Sequence, residues 1–218
     1  MEAIASLAVI VAAFFVGAVP WGLVLGKLKG IDPRQHGSGG TGATNTLRLL
    51  GWRFALAVFV LDFAKGLIPV VLVRALDGPT WLSGAVAVAT VVGHCWSPFI
   101  GFKGGKGMAT GGGAAVGLAP WLIVLLLMIV LIVAVTRYVS LASLVTAIVG
   151  PLLALGMAIW GDFPWPWVIA ITIMAAIIVV QHRTNIRRLL SGTERKFGQN
   201  AALPTGVPES QVDGSQSS

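Results

Sequence analysis

Residues 107–136 read GMATGGGAAVGLAPWLIVLLLMIVLIVAVT, thirty residues without a charge. As one straight helix they would measure roughly 45 Å, against a hydrocarbon core of ~30 Å. One crossing leaves too much chain, and two full-length crossings need more than is there. Gly111, Gly112, Gly113, Gly117 and Pro120 offer the place for a break, because proline removes a backbone donor and clashes with the preceding turn. The segment therefore reads as a short helix near 107–118 followed by a longer one near 120–136.

The basic residues on either side ask for the same solution. Lys27, Lys29, Arg34, Arg48 and Arg53 flank or fill one polar loop, and Lys103 and Lys106 lie in a second. Arg137 marks a third, and Arg183, Arg187, Arg188, Arg195 and Lys196 follow the last apolar run. Lysine and arginine accumulate on the cytoplasmic side of membrane proteins. The second and third segments share that side only if the chain crosses and returns between them. Other apolar stretches long enough to span lie at about 3–26, 52–74, 78–97, 138–160 and 163–181. The fold expected is an all-α integral membrane protein of about seven transmembrane helices, N-terminus outside and C-terminus cytoplasmic. The run from Ala3 to Gly26 lacks a basic leader and is longer than the apolar part of a signal peptide, so it reads as the first retained span. Trp81, Trp160, Trp165 and Trp167 fall near the expected outer ends, as an aromatic belt would.

Composition agrees with a single membrane domain over 1–196 and a disordered cytoplasmic tail over 197–218. Of 218 residues 56% are hydrophobic and 11% charged, whereas a soluble domain carries about 25% charged residues. The net charge of +7 sits between apolar spans, which favours topology over nucleic-acid binding. Cys95 is the only cysteine, so no disulfide or cysteine-based zinc site forms within the chain. The histidines His36, His94 and His182 show no metal-ligand spacing, and no metal or cofactor is expected.

Three polar clusters interrupt the oil. GSGGTGATNTLR at 37–48 satisfies GxGxxG literally, yet no strand precedes it, which excludes a dinucleotide fold. FKGGKG at 102–107 lacks the Ser or Thr that a nucleotide-binding P-loop needs after its lysine. Both loops instead suit phosphate, with consecutive N–H groups forming anion nests beside Ser38, Thr41, Thr44 and the nearby cations. The plain glycines of 111–117 read as close helix-packing points. In the third cluster His182, Asn185 and Arg188 recur every three residues and share one broad face of a helix. Asp62 and Lys65 share a face within a span; they either line a site or pair to orient helices.

Together these segments resemble the bacterial acyl-phosphate-dependent glycerol-3-phosphate acyltransferase family. Ser38-Gly39-Gly40-Thr41-Gly42-Ala43-Thr44-Asn45-Thr46-Leu47-Arg48 is similar to its Ser-Gly-Asn-x-Gly-Ala-Thr-Asn-x-x-Arg pattern, with Gly40 in place of the asparagine. Gly93-His94 followed by Phe102-Lys103-Gly104-Gly105-Lys106-Gly107-Met108-Ala109-Thr110 is similar to the second pattern, with Pro98 one residue late in the lead-in. His182-Arg183-Thr184-Asn185-Ile186-Arg187-Arg188-Leu189 is similar to the third, and Asp62, Lys65 and Gly66 match an Asp-x-x-Lys-Gly in the second span.

The resemblance implies a bacterial inner-membrane enzyme with a cytoplasmic active site. It would move a fatty acyl group from acyl phosphate to the sn-1 hydroxyl of glycerol 3-phosphate, giving lysophosphatidic acid and phosphate. The donor is a mixed anhydride, so no protein nucleophile is needed. The expected arrangement has the amides of Gly104, Gly105, Lys106 and Gly107 with Ser38 around one phosphate, and Arg48, Thr44 and Asn185 at the other. Gly39, Thr41, Asn45, Lys103 and Arg188 complete the expected phosphate-binding set. His182, Asn185, Lys106 and Ser38 are the expected catalytic residues, His182 orienting the acceptor or taking its proton. Expected partners are the two substrates and membrane lipid, with no nucleic acid and no obligate protein. A transporter of phosphorylated anions would use the same groups from both faces; the lack of an internal repeat and the clustering on one face count against it.

Overall fold

The computed structural model describes residues 2–199, and among them every regular element is helical. The elements are α1 (Glu2–Ala18), α2 (Trp21–Leu28), α3 (Ala43–Ala75), α4 (Thr80–Cys95), α5 (Met108–Leu118), α6 (Val124–Thr136), α7 (Val139–Trp160), α8 (Trp165–Gln181) and α9 (Arg183–Leu190). Short 3-10 turns at Pro98–Ile100 and Pro120–Ile123 precede the second polar loop and α6. The break anticipated within 107–136 falls at Ala119–Pro120.

Four helical stretches are long and apolar enough to cross a membrane: Glu2–Leu28, α3, Thr80–Ile100 and α7. The pair α8 and α9, bent by 58°, makes a fifth. Pro120–Thr136 is a shorter apolar helix, and α5, with 11 residues, reaches only about 16 Å.

One span read as continuous is interrupted, and a second break falls just ahead of the span expected at 52–74. The first breaks at Val19–Pro20, where proline separates α1 from α2. The carbonyls released there are taken from afar: Ser97 Oγ donates to Ala18 O at 2.6 Å and Lys65 Nζ to Val19 O at 2.7 Å. The second break is Gly51, whose φ of +79° departs from the helix and divides α3 into a short leading piece and a long one. Only glycine takes that conformation without strain.

Close helix approach organises the core. α4 packs against α1, α3, α5 and α8, while α7 joins through α8. A Cβ at Gly66 would collide with the Thr110 carbonyl, and one at Gly113 with the Phe63 carbonyl, so α3 and α5 touch backbone to backbone. Gly17 against Thr90 and Gly93 against Phe14 do the same for α1 and α4. Small residues at helix contacts are how membrane helices gain packing where no hydrophobic drive exists. α6 is the exception: it leans chiefly on α7 and buries none of its residues. Phe197 N–H donates to Arg137 O at 2.6 Å, so ordered chain continues past 196; the rest of the expected tail, from 200, lies outside the described residues.

Candidate active site

The first polar loop is built around Asn45. Its carboxamide Nδ2 donates to the carbonyls of Pro33 at 2.9 Å, Gly40 at 2.9 Å and His36 at 3.2 Å, while Oδ1 accepts the Ser38 N–H at 2.8 Å. The side chain holds the loop and is 2% exposed, and the residue also borders the cavity. Loop carbonyls and N–H groups without a helix or sheet need such a partner. Ser38, Gly39, Thr44 and Arg48 line the cavity beside it. Thr41 does not: it is buried, with its carbonyl pressed against Gly22 of α2.

The second loop is held from beneath. Gly104 N–H donates to Cys95 O at 3.0 Å and Gly105 N–H to His94 O at 3.1 Å. Those amides were expected at a phosphate and are already engaged. The N–H groups left for an anion are those of Lys106 and of the first turn of α5, which has no intrahelical acceptor for them; Lys106, Met108 and Ala109 all line the cavity. Burial lowers the Lys106 ammonium to about 8, so it remains largely protonated at neutral pH. Lys103 is exposed and stands outside the cavity. Under this loop Asp62 pairs with Lys65 at 2.7 Å, and His94 Nδ1 lies 3.7 Å from the same carboxylate. Asp62 and His94 line the cavity whereas Lys65 does not. His94 carries the loop through its carbonyl, a role that a histidine at the end of a span does not announce.

The third cluster is not one continuous helical face. α8 ends at Gln181 and α9 starts at Arg183, so His182 sits in the bend between them. Its Nδ1 is 2.8 Å from Ile178 O. A carbonyl can only accept, so Nδ1 carries the proton and Nε2 keeps a lone pair. Burial lowers His182 to about 4, and the imidazole is neutral. Asn185 Nδ2 and Arg188 Nε donate to Glu194 at 2.7 and 2.6 Å, and Ser140 Oγ joins them at 2.8 Å. Burial acts to raise the Glu194 carboxyl, but the bonds from Arg188, Asn185 and Ser140 outweigh it and hold it below its usual range. Glu194 was not anticipated, although it is the one acid among Arg187, Arg188, Arg195 and Lys196. Asn185 Oδ1 is buried without a partner among the described residues.

All three clusters border one cavity of about 630 Å³. Its mouth is polar, formed by 37–40, 42–45, Arg48, 104–107, His182, Asn185, Arg188 and Glu194. Its interior is apolar, running between α5, α6, α7 and α8 past Met108, Ile129, Ala147 and Met174. A family model described as glycerol-3-phosphate acyltransferase matches residues 7–192. The chain belongs to the glycerol-3-phosphate acyltransferase family. A glycerol-3-phosphate acyltransferase of Rubrobacter xylanophilus is 41% identical over 85% of this chain and 92% of its own. One from Halalkalibacterium halodurans is 41% identical over 87% and 94%. The crystal structure of PlsY (YgiH), an integral membrane glycerol 3-phosphate acyltransferase in its glycerol 3-phosphate form, superposes with a TM-score of 0.83 at 38% identity, covering 89% of this chain and 96% of that one. Its lysophosphatidic acid form gives 0.81 at 37%. This chain is thus a membrane acyltransferase, and the polar-mouthed, apolar cavity is its candidate catalytic centre.

Proposed function

We propose that the enzyme transfers a fatty acyl group from acyl phosphate to the sn-1 hydroxyl of glycerol 3-phosphate, releasing lysophosphatidic acid and inorganic phosphate. The observation that carries this is the single cavity with a cationic mouth and an oily interior, the shape of a substrate with a phosphate at one end and a hydrocarbon chain at the other. The acceptor oxygen attacks the acyl carbon, a new C–O ester bond forms, and the anhydride C–O bond breaks with its electrons leaving on phosphate. The hydroxyl proton ends on a phosphate oxygen. His182, neutral and with Nε2 unprotonated, accepts a hydrogen bond from the hydroxyl and orients it; at about 4 its imidazole is a weak resting place for a proton.

Lys106 with the amides of the α5 first turn receives one phosphate, and Ser38, Thr44 and Arg48 stand around the other. Asn185 and Arg188 reach the substrate from the Glu194 network. A charge-assisted bond to phosphate contributes about 1.5–3 kcal/mol. No nucleophile on the protein is required, because the donor carries its own leaving group. The chain crosses the bilayer seven times with the cavity mouth at the cytoplasm, a reading supported by the lysines and arginines of all three clusters. The acyl chain enters sideways from lipid past α6, which buries none of its residues.

Purified protein in lipid nanodiscs, given acyl phosphate and glycerol 3-phosphate, should release phosphate and lysophosphatidic acid in equal amounts. Folded protein that yields no lysophosphatidic acid would overturn the reading. Acyl-CoA in place of acyl phosphate should give none.

A further inference from the structure

The apolar limb of the cavity has a definite floor. On α7 the lining runs from Val139 to Pro151, with Ser140, Ser143, Ala147 and Gly150 along one face, and ends there. One turn further, Ala154 is fully buried in the core with Leu118, while Leu122 borders the end of the cavity. On α8 the lining stops at Ile171, and on α6 Leu125 faces the same level. A Cβ placed on Gly150 would lie 3.4 Å from Leu125 Cδ1 and 3.9 Å from Ile171 Cγ2. One methyl therefore fits there in ordinary contact, and anything larger must project into the limb.

We propose that Gly150, with Leu125 and Ile171 opposite it, is the end stop that sets which acyl-chain lengths the enzyme uses. This rests on the acyl transfer proposed above and adds a specificity-determining position to it. Ser140, bonded to Glu194, marks the polar end; ten residues of helix separate it from Gly150, about 15 Å. An extended hydrocarbon advances roughly 1.25 Å per carbon, from C–C bonds of ~1.5 Å. The limb then accommodates about twelve extended carbons in that length, and longer chains must fold against the floor. A glycine at the floor leaves the greatest depth that this helix can offer. Substituting it shortens the limb without touching the polar mouth.

The test compares decanoyl, dodecanoyl, tetradecanoyl and hexadecanoyl phosphate with the wild-type enzyme, Gly150→Leu, Gly150→Ala and Ile171→Ala, all in nanodiscs, following lysophosphatidic acid. One methylene too many in an apolar pocket is worth roughly 10- to 200-fold. Gly150→Leu should therefore move the ratio of kcat/KM for hexadecanoyl over decanoyl phosphate down by at least tenfold. Ile171→Ala should move it up, Gly150→Ala should change it little, and KM for glycerol 3-phosphate should stay constant in all. If Gly150→Leu proves unstable on heating, the upward shift in Ile171→Ala carries the test alone. An active wild type whose ratio none of these variants alters would place the chain end in lipid and overturn the end stop only. A wild type inactive with every donor would overturn the acyl-transfer reading and this inference with it.

Discussion

The two loops are both rich in glycine and are held in opposite ways. The loop at 37–48 hangs from a side chain, the Asn45 carboxamide, which gathers its carbonyls from above. Gly40 and Gly42 face open space: a Cβ on Gly40 meets nothing nearer than Ser38 Oγ at 3.6 Å, and one on Gly42 meets nothing at all within 4 Å, while Gly37 and Gly39 hold the turn at φ of +64° and +71°. The loop at 103–107 lies directly on the end of α4, where a Cβ on Gly104 would strike the His94 carbonyl and one on Gly105 its imidazole. In the first loop glycine leaves room for a ligand; in the second it lets backbone rest on backbone. The same letters thus encode tolerance in one place and its absence in the other.

The sharpest way to break the comparison is a pair of alanines. Gly104→Ala should lower kcat/KM by about 100-fold or more, since small displacements of positioning groups cost that much, with a reduced unfolding temperature as the accompanying sign. Asn45→Ala should follow closely, roughly 30- to 100-fold, because several carbonyls lose their donor at once; unchanged activity would mean the loop holds itself. Lys106→Ala should cost about 10- to 100-fold, the worth of one charge-assisted contact. The ammonium binds phosphate only while protonated, and burial places its titration at about 8. Hence kcat/KM should fall as pH rises through about 8, and Lys106→Arg should shift that fall upward, since a guanidinium stays charged.

His182→Asn should retain a measurable fraction of the rate, down about tenfold, because an amide oxygen can still accept from the hydroxyl; a loss beyond about 1000-fold with acceptor binding intact would make the imidazole the base. The smallest effects complete the contrast. Gly40→Ala and Lys103→Ala should each stay within about twofold, one filling open space and the other removing an exposed cation. A large loss in Gly40→Ala would show that the two loops tolerate substitution equally badly.

The helical segments were legible in the sequence because hydrocarbon enforces them: long uncharged runs have few other uses, and the thirty-residue segment could be resolved only at its proline. The interruption at Pro20 was not, since it sits in apolar surroundings where hydropathy barely changes; the break at Gly51, between Arg48 and Arg53, falls at the start expected for the second span. For the site, the three clusters converge on one cavity, as the resemblance of all three to one family's motifs implied. What composition could not convey was direction. The Asn45 carboxamide and the N–H groups of Gly104 and Gly105 bond to the protein's own backbone although these residues border the cavity, Thr41 is buried beside Gly22, and nothing in a residue type tells whether it serves the ligand or the scaffold. Glu194 escaped because it follows α9 in a turn, outside any periodic pattern, and acquires meaning only when Ser140 and Asn185 approach it from other elements.

The break at Val19–Pro20 also bears on how the chain is made. Its released carbonyls find their donors 46 and 79 positions later, on Lys65 and Ser97. During synthesis α1 and α2 precede both donors. Val19 O keeps a local partner in Trp21 N–H at 3.2 Å, but until the end of α4 has been inserted Ala18 O lacks its native donor, and a carbonyl left unpaired in hydrocarbon costs several kcal/mol. A chain truncated before Ser97 therefore keeps an unpaired carbonyl at the end of its first helix, a polar difference between the unfinished protein and the finished one.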